Sequence, residues 1–100
     1  MKTPKKRKTM KIGAHVYIGG NVQGVFFRSE TQHQANKHHV NGWVRNLQDG
    51  RVEAMFEGEQ EDVKKMVAFC RTGPPAAQIS AVNVTWLPYS GMFNSFDIRY

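Results

Sequence analysis

Three glycines, at positions 19, 20 and 24, punctuate the segment Ile18-Gly19-Gly20-Asn21-Val22-Gln23-Gly24-Val25-Phe26-Phe27-Arg28, which runs from an apolar alternating stretch into a helix-compatible one. Glycine lets a backbone turn tightly and aim successive N–H groups at one point. Such a nest at the start of a helix suits a multiply charged oxyanion. Arg28 adds a planar fork of donors whose charge persists at any working pH. The amides of Asn21, Val22, Gln23, Gly24, Val25 and Phe26, together with Arg28, are therefore the candidate phosphate-binding set, with the Gln23 side chain as a hydrogen-bonding support for the loop. The segment is neither a Walker loop, since no Gly-Lys-Ser/Thr follows, nor a dinucleotide fingerprint, since G-x-G-x-x-G is absent.

The elements that must hold this cradle follow from periodicity. Ala14, Val16 and Ile18 alternate with His15 and Tyr17, which predicts a half-buried strand over residues 12–19. Residues 27–39 are helix-compatible, with Phe27, Thr31 and Ala35 on one side of a thin apolar stripe. Two short β-like runs, 43–47 and 51–57, flank Gln48-Asp49-Gly50, whose Asp-Gly pair signals a hairpin. Val63, Met66, Val67 and Cys70 mark a second helix, with acidic residues near its positive end and Gly73-Pro74-Pro75 as its stop. Val82, Val84 and Trp86 share the phase of a strand over 79–87, and Phe96, Ile98 and Tyr100 that of a last one. Strand, helix, hairpin, helix, strand is a split β-α-β order. It predicts an α/β (α+β) ferredoxin-like sandwich, an antiparallel sheet with two helices on one face. That fold carries many unrelated activities, so function has to be argued from the site.

A second segment, Gly42-Trp43-Val44-Arg45-Asn46-Leu47-Gln48-Asp49-Gly50-Arg51-Val52, completes a pattern that the first only suggests. Together they resemble the acylphosphatase family. Its signature G-x-V-Q-G-V-x-F-R falls on Gly20, Val22, Gln23, Gly24, Val25, Phe27 and Arg28, and its G-W-V-x-N-x-x-x-G-x-V falls on Gly42, Trp43, Val44, Asn46, Gly50 and Val52. The resemblance runs from about Ala14 to Tyr100 and implies the same ferredoxin-like fold. It also implies hydrolysis of small acyl phosphates, with Arg28 and Asn46 as the catalytic pair and no metal or other cofactor. Where this chain has His38 and His39, relatives commonly have an apolar residue and a glycine, which weakens the expected packing and C-cap of the first helix.

An acyl phosphate is a mixed anhydride whose leaving carboxylate has a conjugate acid of pKa near about 4, so it departs without being protonated. The remaining tasks are to bind the phosphoryl oxygens, stabilise their charge and aim a water in line. A carboxamide accepts and donates hydrogen bonds, which suits Asn46 to orienting that water, but it removes no proton. Arg28 is equally unable to act as a base, so the proton is assigned to the substrate's own phosphate. The family also suggests that the end of the chain matters, and a carboxylate at Tyr100 close to Arg28 is one expected contact.

Composition removes other classes. The formal charge of +6 invites a nucleic-acid reading, yet six of the fourteen basic residues precede Ile12, and beyond it eight basic residues balance eight acidic ones. Residues 1–11 read as a solvated basic tail and 12–100 as one domain. The base-stacking motif of single-strand RNA readers on this fold is missing, so no nucleic-acid partner is expected. His15, His33, His38 and His39 have no metal-ligand spacing and are read as binding nothing. The lone Cys70 precludes an intramolecular disulfide, and no leader-like or membrane-spanning apolar run is present. A cytoplasmic monomer is the expected form.

Overall fold

The first alternating run is realised as strand β1 (Lys11–Asn21), which buries Ala14, Val16 and Ile18 completely. In a computed structural model that describes residues 10–100, β1 is followed by helix α1 (Phe27–Lys37) and strands β2 (Asn41–Asn46) and β3 (Val52–Glu59). Helix α2 (Gln60–Thr72), strand β4 (Gln78–Pro88) and strand β5 (Phe96–Arg99) complete the order. The domain begins slightly earlier than expected: Lys11 pairs with Glu59, and the Met10 carbonyl accepts the Gln60 amide at 2.8 Å. The rest of the basic tail read over residues 1–11 lies outside the described residues.

The five strands form one sheet in the order β4-β1-β3-β2-β5. Helix α1 packs on β2 and β5, and α2 on β1, β3 and β4. The core lies between helices and sheet. Phe27, Thr31 and Ala35 of α1 and Val63, Met66, Val67 and Cys70 of α2 face Val44, Val52, Ala54 and Phe56. Burial of such apolar surface is the main favourable term, at about 25 cal/mol per Å². The thin stripe on α1 is therefore still enough to dock it.

One expectation needs correction. The sheet is mixed, because β5 pairs with β2 in parallel, Val44 opposite Ile98, while every other pairing is antiparallel. The cause is topological: β4 and β5 occupy opposite edges, so the chain crosses the width of the sheet in residues 89–95 before β5 begins. Buried Glu57 anchors that crossing by accepting the Ser90 and Gly91 amides at 2.9 and 3.1 Å. Asn41 Nδ2 holds the Phe93 carbonyl at 3.0 Å, and the Gly42 amide holds that of Ser95 at 2.9 Å.

The C-terminus of α1 closes at the two histidines where the sequence predicts a weaker cap. His39 adopts φ 59°, the Val40 amide donates to the Ala35 carbonyl at 2.8 Å, and the His39 amide to that of Asn36 at 3.4 Å. This is a Schellman arrangement with histidine where glycine is favoured. A left-handed conformation costs a side-chain-bearing residue about 1–2 kcal/mol, offset in part by the greater chain entropy that glycine loses. His39→Gly is therefore expected to raise stability by about 1 kcal/mol, a Tm increase of about 5 °C in thermal unfolding, without altering turnover.

Candidate active site

The cradle begins where β1 loses its regular pairing. Its register against β4 shifts between Gly19 and Gly20, a bulge that redirects the strand into the loop. At Gly20, φ is 125° and a Cβ would sit 2.1 Å from the Gln78 carbonyl oxygen, so no other residue fits. Gly24 has open space around it, but its φ of 75° is a left-handed conformation that glycine adopts without strain. Phe26, the residue preceding α1, sits at φ 65° and caps the helix with no side-chain hydrogen bond. Among the described residues the main-chain amides of Gln23 to Arg28 meet no protein acceptor. Polar groups left this way need water or a ligand.

Arg28 and Asn46 line the same hollow, of about 280 Å³, together with Val22, Gly24 and Phe26 of the loop. Gln23 explains how the two segments are kept in register: its Nε2 donates to the Leu47 carbonyl at 2.7 Å and to that of Arg51 at 2.9 Å. The side chain thus ties the cradle to both ends of the β2–β3 turn, next to Asn46, as its reading as a loop support required. Asn46 closes β2 opposite Val52, and α1 lies across β2 and β5, which brings the start of the helix over the end of that strand.

The remaining candidates fall outside the lining. Asn21 is the last residue of β1, exposed and paired with Gln78, and Val25 packs against the core. Four residues not singled out for the site's lining do contribute: Phe27, Ser29, Ile98 and Tyr100. Ser29 follows Arg28 in the first helical turn, a position that any residue closing on a helix N-terminus occupies. Its hydroxyl donates to the Phe26 carbonyl at 3.2 Å. Arg28 touches the other end of the chain differently from expectation. Its Nη1 donates to the Arg99 carbonyl at 3.4 Å and its guanidinium lies 4.7 Å from the centre of the Tyr100 ring. Among the described residues it forms no ion pair, with the terminal carboxylate or any other.

The hollow is electropositive. The positive end of α1, unpartnered amides and a guanidinium all point one sign of charge toward it, and no Asp, Glu, His or Cys lines it. Ionisable groups with displaced pKa values lie elsewhere. Burial pushes the Glu53 carboxyl up, but hydrogen bonds from His15 and Arg45, both at 2.6 Å, and the charge of Arg45 outweigh it and hold Glu53 below its ordinary value. That network occupies the sheet face away from the helices. Arg51 is engaged with Asp49 at 2.9 Å and lies over the Tyr17 ring, so neither Arg45 nor Arg51 lines the hollow. Burial pushes the Cys70 thiol up to about 12, which leaves it a protonated core residue. Among the described residues no three His, Cys, Asp or Glu side chains gather as a metal site, and no helix is long and apolar enough to cross a membrane.

Two helices on one face of a sheet in this strand order make a ferredoxin-like α+β domain, and its cationic hollow equips that domain for a small oxyanion. The chain belongs to the acylphosphatase family, whose model matches residues 14–98. It is 53% identical over 87 residues to an acylphosphatase of Pelotomaculum thermopropionicum, covering 87% of this chain and 95% of that one. Among solved structures, the acylphosphatase from Bacillus subtilis superposes with a TM-score of 0.85 at 32% identity, over 89% of this chain and 99% of that chain. The acylphosphatase from Coxiella burnetii gives 0.85 at 31% identity, over 94% and 100%.

Proposed function

We infer that the chain is a hydrolase that splits the carboxyl–phosphate anhydride of acyl phosphates into a carboxylate and inorganic phosphate. The observation that carries this reading is the meeting of Arg28, Asn46 and the unpartnered loop amides at one hollow. Arg28 and the amides of the loop hold the phosphoryl oxygens and offset the charge that builds on them. The carboxamide of Asn46 holds a water opposite the departing oxygen. As that water bonds to phosphorus, the P–O bond to the acyl group breaks and its electron pair leaves with the carboxylate. The proton released by the water passes to a phosphoryl oxygen, since no side chain lining the hollow is a competent base. The same proposal takes the enzyme to be a cytoplasmic monomer acting on a diffusible acyl phosphate.

The pure protein is expected to hydrolyse benzoyl phosphate at an unchanged rate in excess chelator, with inorganic phosphate as a competitive inhibitor. Loss of activity on chelation, or inhibition by phosphate that is not competitive, would refute the mechanism.

A further inference from the structure

The hollow has a second character that phosphate binding does not use. Beside its polar residues stand Val22, Ile98, the buried core residue Phe27 and two exposed aromatic residues, Phe26 and Tyr100. These two residues are 76% and 96% exposed, among the few large hydrophobic residues of the described part of the chain left in water. Phe26 is also held in a left-handed conformation, where a bulky residue is rare and strained. Its ring stacks on no other ring among the described residues. Strain and exposure thus coincide on one side chain at the rim, with no ring stacking among the described residues to offset them. Tyr100 is placed by Arg28, whose guanidinium lies over its ring at 4.7 Å.

Geometry restricts what meets these rings. In an acyl phosphate the acyl carbon is one bridging oxygen away from phosphorus, so a phosphoryl group held by Arg28 leaves its acyl group at the rim beside that guanidinium. Resting on the reading of the hollow as an acyl phosphate site, we propose that Phe26 and Tyr100 are the acyl-group walls. They select acyl phosphates with a flat aromatic or broad apolar acyl group over those with a small aliphatic one. Aromatic walls supply large contact area at low entropic cost and interact with another ring beyond simple burial.

The test is the ratio of kcat/KM for benzoyl phosphate to that for acetyl phosphate, which cancels any damage common to both substrates. The unaltered protein is expected to favour benzoyl phosphate. Phe26→Ala and Tyr100→Ala should each lower the ratio about five- to tenfold, chiefly through KM for the aromatic substrate. Phe26→Tyr and Tyr100→Phe should keep it. A ratio within about twofold of the unaltered protein in both alanine variants overturns the proposal, as does equal efficiency on the two substrates before mutation. Hydrolysis of neither substrate by the unaltered protein would instead remove the acyl phosphate reading itself, and the walls with it.

Discussion

Arg28→Ala is expected to abolish inhibition by inorganic phosphate and to lower kcat/KM for acyl phosphates by about 10³-fold or more. Hydrogen bonds to an ionised group contribute about 1.5–3 kcal/mol each, and a guanidinium offers two in parallel to a phosphoryl group. Losing both accounts for about 10²-fold or more in phosphate affinity. The loss in turnover is larger, because charge on the equatorial oxygens is still developing in the transition state. The fold should survive. Arg28 is only partly buried, its side chain makes one hydrogen bond and one ring contact among the described residues, and α1 is docked by Phe27, Thr31 and Ala35. Arg28→Lys should recover the charge without the fork and restore only a small part of the affinity. Phosphate Ki, kcat/KM and a thermal melt on the same preparations check this. A Ki within about threefold of the original would eliminate the assigned role.

Asn46→Ala should separate the two tasks that Arg28 combines. Its carboxamide is bonded to no other side chain among the described residues, and its backbone stays in the ladder opposite Val52. Truncation therefore orphans no partner, and stability should change by less than about 1 kcal/mol. With the cradle intact, phosphate should still bind with nearly its original Ki. Turnover should nevertheless fall by about 10²-fold or more, the scale seen when one positioned hydrogen-bonding group is lost. In kinetic form this is a drop in kcat with KM little changed, the signature of an interaction made at the transition state. Asn46→Asp would place a negative charge facing the phosphoryl oxygens and should weaken phosphate binding as well. Full turnover in Asn46→Ala would leave the water without an assigned director.

Much of this was legible in the residues, because the strongest signals are local. The alternation of Ala14, Val16 and Ile18, the Phe27-Thr31-Ala35 face and the Val63-Met66-Val67-Cys70 stripe each follow from a side-chain period, and each is buried as that period requires. Gln23 was read as a support for its loop and is found bridging two carbonyls of the β2–β3 turn. What the sequence did not disclose are relations between distant segments. A period says which face of Phe96 and Ile98 is buried but not which strand they join, so the parallel pairing with β2 had no local signal. The family resemblance brought the end of the chain near Arg28 through its carboxylate, whereas the contact is made by the Tyr100 ring, an orientation that no local period reports. The left-handed backbone at Phe26 also escaped notice, because the rule that assigns such conformations to glycine and asparagine gives no warning for phenylalanine.

The parallel edge strand has a consequence for how the protein fails. β5 is four residues long and joins the sheet through β2 alone, yet it and the residue after it carry Ile98 and Tyr100 to the hollow. A short edge strand with one partner strand and few buried side chains is expected to fray at a free energy below that of global unfolding, even with α1 packed on it. Warming is therefore expected to loosen the β5 side of the hollow while the helices and the central strands are still intact. Inactivation is expected to precede melting, and the margin between the two temperatures, read from residual activity beside a thermal melt, would measure how tightly a single short ribbon is held.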